Sequence, residues 1–155
     1  MGKIAAKLRE LGITLPVAAK PVANYVPWAR TGNLVFVAGQ IPVRDGKPQF
    51  LGQLGGNVSL ADGANAAGLC ATNILAQLND ACGGDLDLVL RIVKLVGFVN
   101  CAAGFIDIPK VVNGASDVMV EVFGEAGKHV RSAVGVSSLP LGVPVEVEAI
   151  VEIAS

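Results

Sequence analysis

Arg131 is the residue in this sequence that most needs a chemical partner. It lies within V-R-S-A-V-G-V, residues 130–136, where a guanidinium costs free energy unless something anionic or hydrogen-bonding receives it. Either an anion is held there, or the strand runs at a surface edge and the head reaches water. Further on, V-E-V-E-A-I-V-E-I over 145–153 alternates strictly. Val145, Val147, Ala149, Val151 and Ile153 share one face, and Glu146, Glu148 and Glu152 fall on the other, because side chains switch face at each residue of a strand. If the intervening loop turned straight back, Arg131 would stand nearly opposite Glu148 and within about two residues of Glu146. That pairing could recognise a carboxylate through the planar two-pronged arginine while a glutamate moves a proton and activates water. The same spacing also fits a salt bridge that only holds the fold.

Other reactive residue types are sparse. His129 is the single histidine; beside Lys128, after a helix end, it reads as a capping or solvated residue. Ser132, Ser137 and Ser138 have no histidine near them except His129, so a serine-hydrolase triad is not indicated. One histidine with scattered cysteines does not make a metal-ligand set, and no metal cofactor is implied. Gly52-Gln53-Leu54-Gly55-Gly56 lacks the lysine of a phosphate loop and the strand-to-helix setting of a dinucleotide fingerprint. Cys70, Cys82 and Cys101 are odd in number and widely spaced, which favours reduced, mostly buried thiols over a disulfide framework.

The elements that must position these residues follow from periodicity. Ile4, Leu8 and Leu11 recur at helical spacing before Gly12 and Pro16, predicting a short N-terminal amphipathic helix. Val22 to Ala29 and Leu34 to Ala38 read as strands about a turn at Arg30–Asn33, with Pro27 placing the first at a sheet edge. Gln40 to Asn57 is rich in glycine and proline and reads as a long loop. A helix capped by Ser59 runs to Gly83 with Ala67, Ala71, Ile74, Leu78 and Cys82 as its apolar stripe. Arg91 to Val99 is apolar on both faces, as for a strand inside the sheet. A second helix starts after Asp107 and ends near Gly124. Val130–Val136 and Val143–Ile153 are then two strands joined by a loop holding Pro140 and Gly142. The order is α+β, with two helices able to cover one face of a sheet.

The composition bounds what such a domain can do. The chain has 155 residues, 52% hydrophobic and 16% charged, with a net charge of -1. One domain spanning 1–155 is expected. A typical soluble domain carries about 25% charged residues, so this deficit points to a buried subunit interface. The near-zero charge disfavours nucleic acid and anionic membrane as partners. No run of about 20 apolar residues could span a bilayer. Lys3, Lys7, Arg9 and Glu10 sit where a secretory signal would need an apolar core, so the default address is the cytoplasm.

The run R-S-A-V-G-V-S-S-L-P-L-G-V-P-V-E-V-E-A-I, Arg131 to Ile150, resembles the C-terminal signature of the RidA/YjgF family, long labelled endoribonuclease L-PSP. N-Y-V-P at 24–27, G-N-L-V-F-V-A-G-Q-I-P at 32–42 and V-N-G-A-S-D at 112–117 also look like family motifs. Residues 1–20 resemble the helical extension of a longer subgroup. The resemblance implies a chorismate-mutase-like α+β fold, a mixed sheet covered on one face by two helices, and a homotrimer with clefts between subunits. It also implies cofactor-independent hydrolysis of reactive 2-imino or enamine acids to 2-keto acids and ammonia. Residue by residue, Arg131 matches the arginine that binds the substrate carboxylate and Glu146 the glutamate near the attacking water. Tyr25 and Asn113 match cleft-lining residues, and Gly39 with Gln40 the turn beside them. Ala38 stands where the family often has serine, and Ala133 where it often has cysteine, although the backbone carbonyl at Ala133 is kept. The readings in order are an imine deaminase, a trimeric binder of small carboxylates without turnover, and an endoribonuclease, for which no basic RNA track is evident.

Overall fold

The clean alternation at the end of the chain decides which side of the sheet is covered. A computed structural model describes all 155 residues. Helix α1 spans Lys3–Glu10, strands β1 Trp28–Thr31 and β2 Leu34–Gln40, a small hairpin β3 Val43–Arg44 with β4 Lys47–Pro48, and helix α2 Leu60–Ala81. Strand β5 covers Val89–Asn100, α3 Ile108–Phe123, β6 Val130–Val136 and β7 Val145–Ile153. The five-stranded sheet has the order β1-β2-β7-β5-β6. Only β5 and β6 run parallel; the other pairs are antiparallel. The architecture is thus a mixed-sheet α+β fold with α2 and α3 packed on one face.

Val145, Val147, Ala149, Val151 and Ile153 all turn inward to those helices and are buried. They meet Ala67, Cys70, Ala71, Ile74 and Leu78 of α2 and Val111, Val112, Ala115 and Met119 of α3 in one core. The predicted α2 start is observed, with Ser59 Oγ accepting from the Asp62 amide at 3.1 Å. Cys70 and Cys82 are buried and Cys101 partly so, all three free. No helix is long and apolar enough to cross a membrane.

Three expectations change. The first strand is Trp28–Thr31, not Val22–Ala29, because Pro21 and Pro27 remove amide donors from the segment before it. The loop after β2 contains the β3–β4 hairpin, turned at Asp45 and Gly46, both at positive φ, a pair suited to a two-residue turn. Its glycine-rich continuation is a scaffold. Asn100, nearly buried, donates to the carbonyls of Gly52 and Val143 and accepts from Gln53.

The third change matters most for the site. Strands β6 and β7 do not pair with each other, because β5 lies between them. Arg131 is in register with Leu95 and, across β5, with Ala149. Glu146 is in register with Phe98 and, on the far side, Val134. A parallel pair such as β5–β6 needs a crossover, which α3 supplies, so the direct turn-back that would set Arg131 opposite Glu148 does not form.

Helix α1 is capped from a distance. Asp87, in the turn before β5, accepts the Lys3 and Ile4 amides at 2.8 and 2.7 Å, while Ile4 and Leu8 are buried against the core. These amide donors, Ile4 first, hold the Asp87 carboxyl below its ordinary value. The folded value is depressed, so this contact contributes fully above the unfolded carboxylate range and is lost as pH falls through the folded value. Asp87→Ala is expected to speed hydrogen exchange of the α1 amides while leaving β5 and β7 amides protected. Unchanged exchange in α1 would show that burial of Ile4 and Leu8 alone holds the helix.

Candidate functional site

The polar residues gather in two separate clusters. The first lies where β6 meets α3. Asn113 and Ser116 stand three apart on α3 and so face the same way; His129 and Arg131 stand two apart in an extended segment and do the same. Arg131 Nη1 donates to Asn113 Oδ1 at 2.8 Å and to Ser116 Oγ at 3.1 Å. Its Nη2 reaches the Pro109 carbonyl at 3.5 Å. None of the chain's salt bridges includes Arg131. The Nη1 donors are therefore used by α3, and the Nε–H together with one Nη2–H forms a side-on fork left for a ligand, the geometry that suits a carboxylate. Ala133, two residues on, is on the same face and partly buried against the core.

The second cluster surrounds the end of β2. The register of β2 against β7 shifts between Val37 and Gln40, and this bulge brings Gly39 under Glu146. A Cβ on Gly39 would collide with the Glu146 carboxylate, so the glycine is what lets the acid lie there. Nearby, a groove of about 530 Å³ includes Tyr25, Ala38, Gly39, Gln40, Ile41 and Asn73 in its wall. Helix α2 braces it. Asn73 donates to the carbonyls of Ile41 and Val43, Gln77 to that of Ala19, and Trp28 Nε1 to Asp80. Tyr25 is 61% exposed.

Burial pushes the Glu146 carboxyl above its ordinary value, and Glu148, on the same face of β7, adds to the rise. A carboxyl with such a shift is easier to keep protonated and, once ionised, is a stronger base than an exposed one. No three His, Cys, Asp or Glu side chains converge as a metal-ligand set.

Of the residues singled out from the sequence, the structure brings Arg131 to Asn113 and Glu146 to Gly39; Gly39 also lines the Tyr25 groove, whose wall does not include Glu146. It does not bring Arg131 to Glu146 within one chain. They project from opposite faces of the sheet, two strand spacings or about 10 Å apart before the offset along the strands is counted. The direct Arg131–glutamate wall inferred from the spacing is therefore replaced by two separate clusters. Ser116 carries no role in the sequence reading, and His129, read there as a cap or solvated residue, does meet the Gly127 carbonyl but also Ser116. The signal that could have found them is the shared face of Asn113 with Ser116 and of His129 with Arg131.

Comparison with known proteins accounts for nearly the whole chain. A family model described as "YjgF/chorismate_mutase-like, putative endoribonuclease" matches residues 5–153. Protein TCP17 of Trypanosoma cruzi is 46% identical over 153 residues, covering 98% of this chain and 95% of that protein. A 2-iminobutanoate/2-iminopropanoate deaminase of Dermatophagoides farinae is 30% identical, over 91% of this chain and 94% of its own. The crystal structure of Atu1372 from Agrobacterium tumefaciens, a protein of unknown function, superposes with a TM-score of 0.92 at 48% identity, covering 97% of this chain and 92% of that one. Sequence match and fold agree across the same span, and the chain belongs to the RidA/YjgF family.

Proposed function

We propose that this protein hydrolyses 2-imino acids to 2-keto acids and ammonia, at sites completed between copies of the chain in a homotrimer. The observation that carries the reading is the unpaired side-on fork of Arg131, held in place by Asn113 and Ser116. A guanidinium fixed by neutral partners, with two parallel donors free, is prepared for a carboxylate. The deaminase name of the Dermatophagoides relative agrees with this chemistry.

In the proposed step Arg131 holds the substrate carboxylate and so orients the adjacent C=N carbon. Water attacks that carbon while Glu146 takes its proton. That proton passes to nitrogen to give a carbinolamine; its hydroxyl then gives up the second proton, which also goes to nitrogen, as the C=O bond forms and the C–N bond breaks, so ammonia leaves and the 2-keto acid remains. No electrons are gained or lost, so the reaction calls for no redox cofactor. A backbone carbonyl is kept at Ala133, where it could position water, whereas Ala38 offers no hydroxyl, a change that bears on which substrate side chains are preferred.

A second copy is needed because one chain cannot present both half-sites to one substrate. The uncovered sheet face supports association. Phe36 and Val134 are 41% and 44% exposed there, and Phe36 lies with Val96 and Ile150 around a recess lined partly by Lys94 and Glu148. Apolar surface of this kind favours burial between subunits.

The test is ammonia release from freshly generated imino acids of short, branched and aromatic side chains, with mass measured by light scattering on the same sample. Release above the uncatalysed rate, at the mass of three 15.8 kDa chains, is expected. A monomer mass would overturn the shared site. Binding of a 2-keto acid with no catalysed release across the series would leave a carboxylate-binding protein instead.

A further inference from the structure

The arginine cluster continues one step beyond the residues that the sequence pointed to. His129 Nδ1 lies 2.7 Å from the Gly127 carbonyl, and a carbonyl can only accept, so this nitrogen carries the proton. In the neutral ring Nε2 is then a bare acceptor. Ser116 Oγ is 2.9 Å from that Nε2, so the serine hydroxyl donates to it. The same oxygen accepts from Arg131 Nη1 at 3.1 Å. All three bonds point one way, from guanidinium to hydroxyl to imidazole to backbone carbonyl, and bonds aligned in series strengthen one another.

The far end of this chain is anchored in the fold. A Cβ on Gly127 would collide with the backbone of Met119 and Val120 in α3. Only a glycine lets the turn at 124–127 lie directly on that helix. The turn in turn holds the carbonyl that orients the ring. A serine alone could rotate its hydroxyl to any acceptor, but with its proton committed to His129 its lone pairs must face Arg131.

We propose that Ser116 and His129 are positioning residues that, through this one-way relay, hold Arg131 with its Nε/Nη2 fork aimed at the substrate carboxylate. The inference rests on the reading of Arg131 as the carboxylate receiver and adds two residues to it. Neither touches substrate. Their effect is on the orientation of a group that does, so loss of either should weaken ground-state binding and leave the chemical step largely intact.

The test uses the full chain and 2-oxobutanoate as probe, with Kd by calorimetry and KM and kcat from ammonia release. Ser116→Ala removes the middle of the relay, and Ser116→Thr keeps the hydroxyl. His129→Asn keeps a donor for Gly127 and loses the acceptor for Ser116. Ser116→Ala and His129→Asn are each expected to raise Kd and KM roughly 3- to 10-fold, the range of one neutral hydrogen bond, with kcat near that of the unchanged protein and Ser116→Thr near normal throughout. Nitrogen-15 spectra of the imidazole should show Nδ1 protonated and Nε2 bare. Unchanged Kd in folded Ser116→Ala, while Arg131→Lys weakens binding, would overturn the relay, as would an Nε2-protonated ring. If His129→Asn does not fold, the alanine and threonine pair at Ser116 decides alone. If Arg131→Lys itself leaves Kd unchanged, the carboxylate reading fails. The relay then stands or falls on the ring tautomer and on whether Ser116→Ala broadens the Arg131 guanidinium resonances.

Discussion

Replacing Glu146 by glutamine is expected to cut catalysed ammonia release by about 10²–10⁴-fold, the usual contribution of a general acid–base group, with binding of the keto-acid product changed far less. Glutamine keeps the shape over Gly39 but cannot take a proton from water. The side chain's surroundings also predict a pH signature. Burial, and then the charge of Glu148, raise the Glu146 carboxyl above its ordinary value. The working base is the ionised form, so activity should fall away on the acid side at a higher pH than an unperturbed carboxylate would give. Glu148→Gln removes the repelling charge, eases ionisation and should move that acid limb to lower pH. Stability follows the opposite sign. A carboxyl whose folded value is raised costs stability as pH climbs from its unfolded to its folded value, so Glu146→Gln should not lower the melting temperature at neutral pH. Release by Glu146→Gln equal to that of the unchanged protein would remove this residue from the chemistry.

For Arg131→Lys, carboxylate affinity should fall by about one to two decades, matching the roughly 1.5–3 kcal/mol of a charge-assisted hydrogen-bonded pair. Lysine keeps the charge. It loses the planar fork, and it cannot satisfy Asn113, Ser116 and a ligand at once in the geometry that the guanidinium uses. Oligomer mass should be unaffected, because Arg131 faces α3 rather than the open sheet face. Calorimetry with small 2-keto acids reads the change, and unaltered affinity would return Arg131 to a purely structural role on the surface of α3.

Much of the frame was legible in particular residues. Ser59 and Asp62 marked the start of α2 because a cap hydroxyl and its amide partner are local neighbours in sequence. The Val145–Ile153 alternation told which side of β7 meets the helices, and Glu146 and Glu148 do occupy the other side. The apolar content of Val22–Ala29 suggests a strand longer than the one that forms, because in the sheet a donor missing at Pro27 cannot be made good by side-chain character.

What the sequence determined by itself is the identity and facing of the elements, since helix period, strand period and caps depend on residues a few positions apart. The pattern of motifs also carried the family, from Asn24 through Ile150. What only the tertiary structure decided is which elements become neighbours. The insertion of β5 between β6 and β7 depends on the crossover through α3, a long-range pairing that no local spacing encodes. That single choice puts Arg131 and Glu146 on opposite faces and turns an apparent pocket wall into two separate clusters. It also sets His129 and Ser116 together from separate elements, where the bonds that orient Arg131 arise from the close docking of the Gly127 turn on α3.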